Sequence, residues 1–243
     1  MPSKYSRLIF SVTLLVGSLS ISSAAVINYH FTSNASTPAP TGSEAAGVIG
    51  TSGDSWTTVV STLGSSSTEI GGGTGFTINL GSGLGVTLNN YYNHTGTNAN
   101  DNAAPFGPFV NSWFSREANQ GSPTLTFTGF SSTDFVDLVI FSAPHTGEDR
   151  GTVTVSAVGD TSSSVNITAG AAQPSAYIAA PGASSNYALF SNIQADGSGQ
   201  IVVTLNSNGN FSDLNGFQLE VIPEPSAVLL GGLGLLALLR RRR

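Results

Sequence analysis

Thr124-Leu125-Thr126-Phe127-Thr128 puts Leu125 and Phe127 on one side of an extended chain and three threonines on the other. Side chains along a strand alternate faces, so the pattern describes a half-buried strand with one face to a core and one to water. Thr152-Val153-Thr154-Val155 repeats it, while Val136 to Phe141 is continuously apolar and predicts a central strand. Outward from these segments, short runs with β-branched and aromatic residues recur between Gly, Asn, Asp and Ser. They are 26–31, 56–61, 76–80, 84–89, 124–128, 135–142, 152–158, 165–168, 176–179, 187–193, 201–205 and 217–221. No body segment has a helical period. Such a succession predicts an all-β fold, an antiparallel β-sandwich of jelly-roll type, in a single domain over residues 25–221. Two stretches break the rhythm, 32–55 and 90–123, and both read as long loops. Gly71-Gly72-Gly73-Thr74-Gly75 has neither a lysine nor a following helix, and reads as a turn rather than a nucleotide loop.

The charge distribution narrows the function. Between residues 25 and 222 the only basic residues are Arg116 and Arg150, against thirteen acidic ones, which gives that body a net charge of −11. Such a surface repels nucleic acid and anionic lipid, so no nucleic-acid partner is expected. The chain has no cysteine. Disulfides and thiolate metal sites are excluded, and stability rests on a packed core, for which about 200 residues suffice.

Both ends carry a different composition. Lys4 and Arg7, an apolar stretch from Leu8 to Ile21 and the small residues Ser22-Ser23-Ala24 make residues 1–24 a secretory signal peptide. Cleavage is expected after Ala24, with Ala25 as the neighbouring alternative, and the partners implied are the secretion translocon and a signal peptidase. At the other end stand Pro223-Glu224-Pro225, a 14-residue uncharged run from Ser226 to Leu239, and then Arg240, Arg241, Arg242 and Arg243. Proline fixes φ and lacks a donor, so Pro223 and Pro225 stop any preceding strand. The apolar run calls for lipid or a buried groove, and the four arginines favour the cytoplasmic face. A spanning helix usually needs about 20 apolar residues. Arginine stems that snorkel, and a bilayer that thins locally, can accommodate the shorter run. Gly231, Gly232 and Gly234 weaken it as a permanent anchor.

This three-part tail, residues 222–243, resembles the PEP-CTERM sorting signal of bacterial exosortase substrates. The resemblance implies that Pro223, Glu224 and Pro225 are the recognition element, that 227–239 is a transient transmembrane sorting helix, and that Arg240–Arg243 hold the terminus at the cytoplasmic face. It implies an exosortase, a membrane-embedded cysteine-dependent enzyme similar to transpeptidases, as partner. An ordinary C-terminal anchor is the rival reading. The final third of the body, including Asp137-Leu138-Val139-Ile140-Phe141, Tyr187 to Ile193, Asp196 to Val203 and Leu214 to Val221, resembles galactose-binding-like and other carbohydrate-binding jelly rolls. That likeness implies a last strand that closes the sandwich after the Asn215-Gly216 step.

Candidate chemistry inside the body is sparse. His30, His94 and His145 lack partners at metal-ligand spacing. Ser142, His145 and Asp149 lie within eight residues but without a nucleophile elbow. Glu148 and Asp149 are adjacent, so on extended chain they point apart and read as a solvated turn beside Arg150. Oxygen-rich stretches at 196–199 and 206–213 offer hard ligands, and Asp196, Asn208 and Asp213 are the calcium candidates, although both stretches read equally well as turns. No other cofactor is implied. Sugar recognition needs aromatic faces, and Trp113, Tyr92 and Trp56 are the candidates for it, with Tyr91 and Phe114 nearby. Trp56 sits in a predicted strand and reads more readily as core, and Tyr91 and Tyr92 must point opposite ways if extended. The threonine-faced strands suggest an ice-binding array, but two short Thr-x-Thr strands are no flat lattice and β-propensity accounts for them. Asn-x-Ser/Thr sites start at Asn34, Asn93, Asn166 and Asn210.

The sequence therefore describes a Gram-negative-type exported protein with two sorting signals and one non-catalytic body. It is expected at the cell surface or in the extracellular matrix, in contact with exopolysaccharide or biofilm. A specific carbohydrate-binding module, calcium-dependent or not, is the alternative, and a secreted polysaccharide-active enzyme a remote one.

Overall fold

The computed structural model describes residues 25–32, 39–40, 46–60, 75–93, 114–117, 121–142, 152–168, 176–208 and 211–222. The expected signal peptide, 1–24, and the tail, 223–243, lie outside them. Fifteen strands make up the described chain: β1 (Ile27–Thr32), β2 (Thr57–Val60), β3 (Phe76–Gly81), β4 (Leu84–Asn89), β5 (Tyr92–Asn93), β6 (Phe114–Glu117), β7 (Thr124–Thr128), β8 (Phe135–Phe141), β9 (Thr152–Val158), β10 (Ser162–Thr168), β11 (Gly182–Ala183), β12 (Tyr187–Gln194), β13 (Gln200–Ser207), β14 (Phe211–Leu214) and β15 (Gly216–Ile222). They form a five-stranded sheet ordered β12-β8-β15-β1-β2, a seven-stranded sheet ordered β11-β10-β9-β13-β7-β4-β3 and a small sheet β14-β6-β5. The architecture is an all-β sandwich, and no described segment is an α-helix.

Alternation sets the two inner faces. In β7 the three threonines are half-buried while Leu125 and Phe127 are fully buried. Their partners Val203 and Ile201 on β13, and Leu88 and Val86 on β4, fall on the same side. The opposing sheet contributes Leu138 and Ile140 of β8, which stand beside Leu219 and Phe217 of β15. Phe217 is the junction. It stacks on Tyr29 with ring centroids 5.3 Å apart, meets Phe31 at 5.9 Å, and takes the edge of Phe127 from the facing sheet at 5.0 Å. Phe31 in turn meets Phe114 of the small sheet at 5.0 Å. One connected apolar cluster therefore joins all three sheets.

Several expectations change in the structure. Most pairs are antiparallel, but β1–β2 and β10–β11 are parallel. A parallel partner requires a long return, which the 33–56 and 169–181 connections supply. The 176–179 stretch is no strand, only a bridge at Ala179 to Tyr187. The reason is local: the Asn186 side chain accepts from Ile178 N at 3.0 Å and donates to Ala176 O at 2.7 Å, standing in for a ladder partner. Strand β10 starts at Ser162, three residues before the apolar signal at Val165, because Ser162–Ser164 pair with Ser156–Val158 through their backbone. The segments read as loops at 90–123 and 206–213 contain β5, β6 and β14. The last strand, β15, lies in the middle of the five-stranded sheet, between β8 and β1. β8 is interior, as its continuous apolarity predicts.

Replacing Phe217 by alanine removes the ring that three others touch. The expected loss, read by urea unfolding, is about 3–5 kcal/mol. A loss below about 1 kcal/mol would show that the sheets are held together elsewhere.

Candidate functional site

The outer face of the five-stranded sheet is covered rather than open. Asn28, Gln218 and Val139 stand in register across β1, β15 and β8, pointing away from the main core. Gln218 is fully buried. Its Oε1 accepts from Val48 N at 2.6 Å and Ile49 N at 3.3 Å, and its Nε2 donates to Asn28 Oδ1 at 2.9 Å and Ala46 O at 3.1 Å. Asn28 Nδ2 donates to Ser55 O at 3.2 Å. These two amides stitch the 46–56 segment over the sheet.

Beside them lies a second aromatic cluster. Trp56, Val139 and Phe141 are buried together, with Val48, Ile49, Tyr177 and Tyr187 packed against them. Trp56 meets Phe141 at 5.9 Å, and Phe141 meets Tyr177 at 5.5 Å and Tyr187 at 6.2 Å. Trp56 is only 8% exposed, so its ring is taken up by packing and offers no open face to a sugar. Tyr177 and Tyr187 are half-buried at the rim, with Leu189 exposed on the same face. Sequence reasoning passed over both tyrosines. Tyr177 is held there by the Asn186 bonds to its two neighbours, a tertiary arrangement with no periodic signal.

The remaining aromatic candidates separate. Trp113 lies outside the described residues. Tyr92 is in β5, opposite Ser115 of β6, and its side chain is likewise outside the description. Tyr91 and Phe114 are fully buried. Around Tyr91 the small sheet collects buried polar groups. Asp213 of β14 is 2% exposed and Arg116 of β6 is 8% exposed, with Asp213 opposite Ser115 and Ser212 opposite Arg116. Burial first, and the nearby Asp213 charge second, push the Tyr91 phenol well above its ordinary value. The Tyr91 hydroxyl has no hydrogen-bond partner among the described residues. Arg116 is the only lysine or arginine among those residues, so the described surface exposes no Lys or Arg head group.

The calcium candidates do not meet. Asp196 lies in the β12–β13 turn, Asn208 just beyond the far end of β13, and Asp213 is buried on β14 rather than in a surface loop. The eight residues of β13 set the first two about 25 Å apart. Asp196 Oδ1 already accepts from Ser198 N, Ser198 Oγ and Gln200 N, each at 2.9 Å. The Gln200 and Ser198 bonds hold this exposed carboxyl below its ordinary value. Gly199 closes the turn with φ +73°, where any Cβ would run into Phe130 O. Asn208 Oδ1 accepts from Thr152 N at 2.8 Å, which fastens the chain to β9. Among the described residues no three His, Asp or Glu side chains are grouped to hold a metal.

Three of the described carboxylates, Asp54, Asp134 and Asp196, cap turns of their own, while Asp137 bonds across strands. Asp54 accepts from Thr51 N and Oγ1, both at 2.8 Å, and lies below its ordinary value for that reason. Asp134 accepts from Ser131 N at 2.7 Å, and Asp137 from Asn192 N at 2.8 Å. His30 is buried on the covered face of β1, and Ser142 is buried beyond β8. His94, His145, Glu148 and Asp149 lie outside the described residues.

The outer face of the seven-stranded sheet is a different surface. Asn89, Thr124, Thr204, Ser156 and Ser164 align across β4, β7, β13, β9 and β10. The next row runs Thr77, Thr87, Thr126, Val202, Val158 and Ser162. The two Thr-x-Thr strands visible in the sequence are thus part of one polar face six strands wide.

Residues 221–243 match the model of the PEP-CTERM protein-sorting motif. That motif is a signal for export and membrane-anchored sorting, and it implies an exosortase as processing partner. No curated protein matches the chain in sequence. Among solved structures, the chain is similar to TmCBM61 in complex with beta-1,4-galactotriose, at 13% identity and TM-score 0.32, covering 58% of this chain and 90% of that one. It is also similar to an exo-beta-1,3-galactanase from Phanerochaete chrysosporium with galactose, at 16% identity and TM-score 0.27, covering 60% of this chain and 29% of that one.

Tyr91→Phe removes a buried hydroxyl without changing the ring, so the variant should be about 1 kcal/mol more stable at neutral pH by chemical denaturation. The raised phenol pKa adds a pH dependence. The group leaves stability independent of pH below the unfolded tyrosine value of about 10, and above it stability falls as pH rises toward the folded value, because the unfolded chain ionises first. Stability measured from pH 8 to 11 should therefore fall less steeply in Tyr91→Phe than in the parent, and an equal fall in both would contradict the assignment.

Proposed function

We propose that this chain is an exported, non-catalytic surface or matrix protein whose β-sandwich body contacts extracellular polysaccharide. The observation that carries the reading is the sorting motif at residues 221–243. In it Pro223, Glu224 and Pro225 form the recognition element. The run 227–239 holds the protein transiently in the inner membrane, and Arg240–Arg243 keep the terminus on the cytoplasmic side. A signal peptidase cuts near Ala24–Ala25 after translocation, and the exosortase acts near the tripeptide. The mature body is then acidic, cysteine-free and stabilised by its core alone, which suits a life outside the reducing cytoplasm without needing disulfides.

The non-catalytic part of the reading rests on the carboxylates. Asp54, Asp134 and Asp196 are each occupied by backbone donors within four residues, the bonding of turn caps, and Asp137 is taken by Asn192 N at the irregularity between β8 and β12, rather than held open as an acid/base pair for substrate. A second reading, a carbohydrate-binding module with a discrete site, is favoured by one feature. Tyr177 and Tyr187, 6.4 Å apart and edge-to-face, are half-exposed at the rim of the five-stranded sheet. Aromatic rings of this kind stack on sugar faces.

Intact mass spectrometry of the protein recovered from the host's extracellular fraction tests the route. The expected chain starts near Ala25 and ends between Pro223 and Pro225. A secreted chain that still carries Leu239 and the four arginines would make the tail a plain anchor. Replacing Pro223, Glu224 and Pro225 by alanines should leave the body folded but trap it in the inner membrane, with normal release counting against sorting.

A further inference from the structure

We propose that the outer face of the seven-stranded sheet is the surface on which an uncharged polysaccharide docks. This deepens the reading above and rests on it, since it names the contact surface and the class of polymer.

The composition of the face sets it apart. Six adjacent strands, β10, β9, β13, β7, β4 and β3, turn their outward positions to one side, and none of those positions holds an ionisable residue. They hold Thr, Ser, Asn, Gln and Gly, with Val202 and Val158 side by side near the middle. The rest of the body contains thirteen carboxylates. A face this wide without one of them is the approach that costs a polymer no charge desolvation.

The hydroxyls are arranged rather than scattered. Thr77 and Thr87 are linked at 2.9 Å, Ser156 and Ser164 at 2.7 Å, and Thr154 Oγ1 donates to Asn166 Oδ1 at 2.9 Å. A hydroxyl has one donor and two acceptor positions, and an amide has two of each, so every such pair still offers unused positions to solvent. Cross-strand bonding holds those positions still and lowers the entropy lost when a ligand takes them. Threonine γ-methyls and the two valines supply apolar contact between the hydroxyls, and Val158 is 48% exposed. A sugar ring presents the matching mixture, a C–H face edged by hydroxyls.

Charge chooses among polymers. The body bears −11, and the only Lys or Arg among the described residues, Arg116, is buried, so a uronate or sulfated polymer meets net repulsion and no exposed Lys or Arg among those residues. Geometry argues against two other occupants. Five inter-strand gaps of about 4.8 Å and strands of about 20 Å give roughly 500 Å². That is below the roughly 800 Å² per partner of a stable interface, so a second copy is poorly served. Neighbouring strands rotate by about 20–25°, which accumulates to about 100° across the face. A rigid planar lattice such as ice cannot follow that twist, whereas a flexible polymer can, with each weak contact repeated along its length.

The test uses the processed protein recovered from the host's extracellular fraction, in affinity electrophoresis through gels containing dextran, β-1,4-galactan or carboxymethyl-dextran. The expected result is retardation by the two uncharged polymers and none by the anionic one. The variant Thr126→Glu/Thr204→Glu should weaken retardation at least tenfold in apparent dissociation constant. Ser52→Glu/Ser132→Glu, which adds the same charge at exposed turns elsewhere, should weaken it less than twofold. If the central pair lowers the melting temperature by more than about 5 °C, the exposed pair Thr77→Glu/Ser164→Glu replaces it. Retardation that survives the face variants overturns the face assignment while leaving polysaccharide contact intact. Retardation by none of the polymers overturns the polysaccharide reading itself. Equal retardation by carboxymethyl-dextran, or loss in the turn variant equal to that in the face variant, overturns the chemistry proposed for the face. A dimer in the parent that dissociates in the face variant, seen by sedimentation, assigns the face to self-association instead.

Discussion

The packing of Phe217 against rings from three directions is the constraint on which the rest of the molecule depends. Its ring stacks on Tyr29, touches Phe31 and receives the edge of Phe127 from the opposite sheet. Through Phe31 the contact extends to Phe114, so the small sheet is tied to the same core. In a chain without cysteine no covalent link can hold the sheets together. The apolar cluster must do so, and an aromatic set contributes both area and geometric preference. The placement of β15 explains why one residue can have this effect. As the middle strand of the five-stranded sheet, it carries Phe217 at the centre of the inner face.

The two outer faces that follow from this core have different fates. On the five-stranded side the fully buried Gln218 binds the backbone of 46–49, and Asn28 binds that of Ser55. The covering segment then buries Trp56 over Phe141. Buried amides of this kind are costly unless satisfied, and here the amide of Gln218 meets four partners. On the seven-stranded side the outward side chains are hydroxyls and amides around Val202 and Val158, and three pairs of them are linked across strands. The result is a sandwich with one upholstered face and one polar face without charge, inside a strongly acidic body.

Much of the architecture was legible from residue order. Alternation in 124–128 and 152–158 placed the inner faces correctly, and the apolar run at 136–141 marked an interior strand. The tail was legible as a sorting motif because its parts are contiguous. Strands whose signal is weak were missed: Ser162–Ser164 extend β10 with no apolar residue, and β5, β6 and β14 are short and flanked by turn-forming residues. The stretch at 176–179 went the other way, since its β-like composition is overridden by the Asn186 side chain.

What the sequence determined by itself is whatever depends on neighbours along the chain: the β character of the body, the side of each strand that enters the core, the net charge, the absence of disulfides and the sorting tail. What only the tertiary structure decided is whatever depends on which strands lie side by side. Trp56 became core because Gln218, 162 positions away, fastens a loop over it. Asp196 and Asn208 parted because β13 runs straight between them. The threonines of β4 and β7 joined those of β9 and β13 into one face because hydrogen-bonded registers, not sequence distance, set their order. Alternation has a period of two and is written in the chain, whereas strand adjacency is settled by the packing of the whole core.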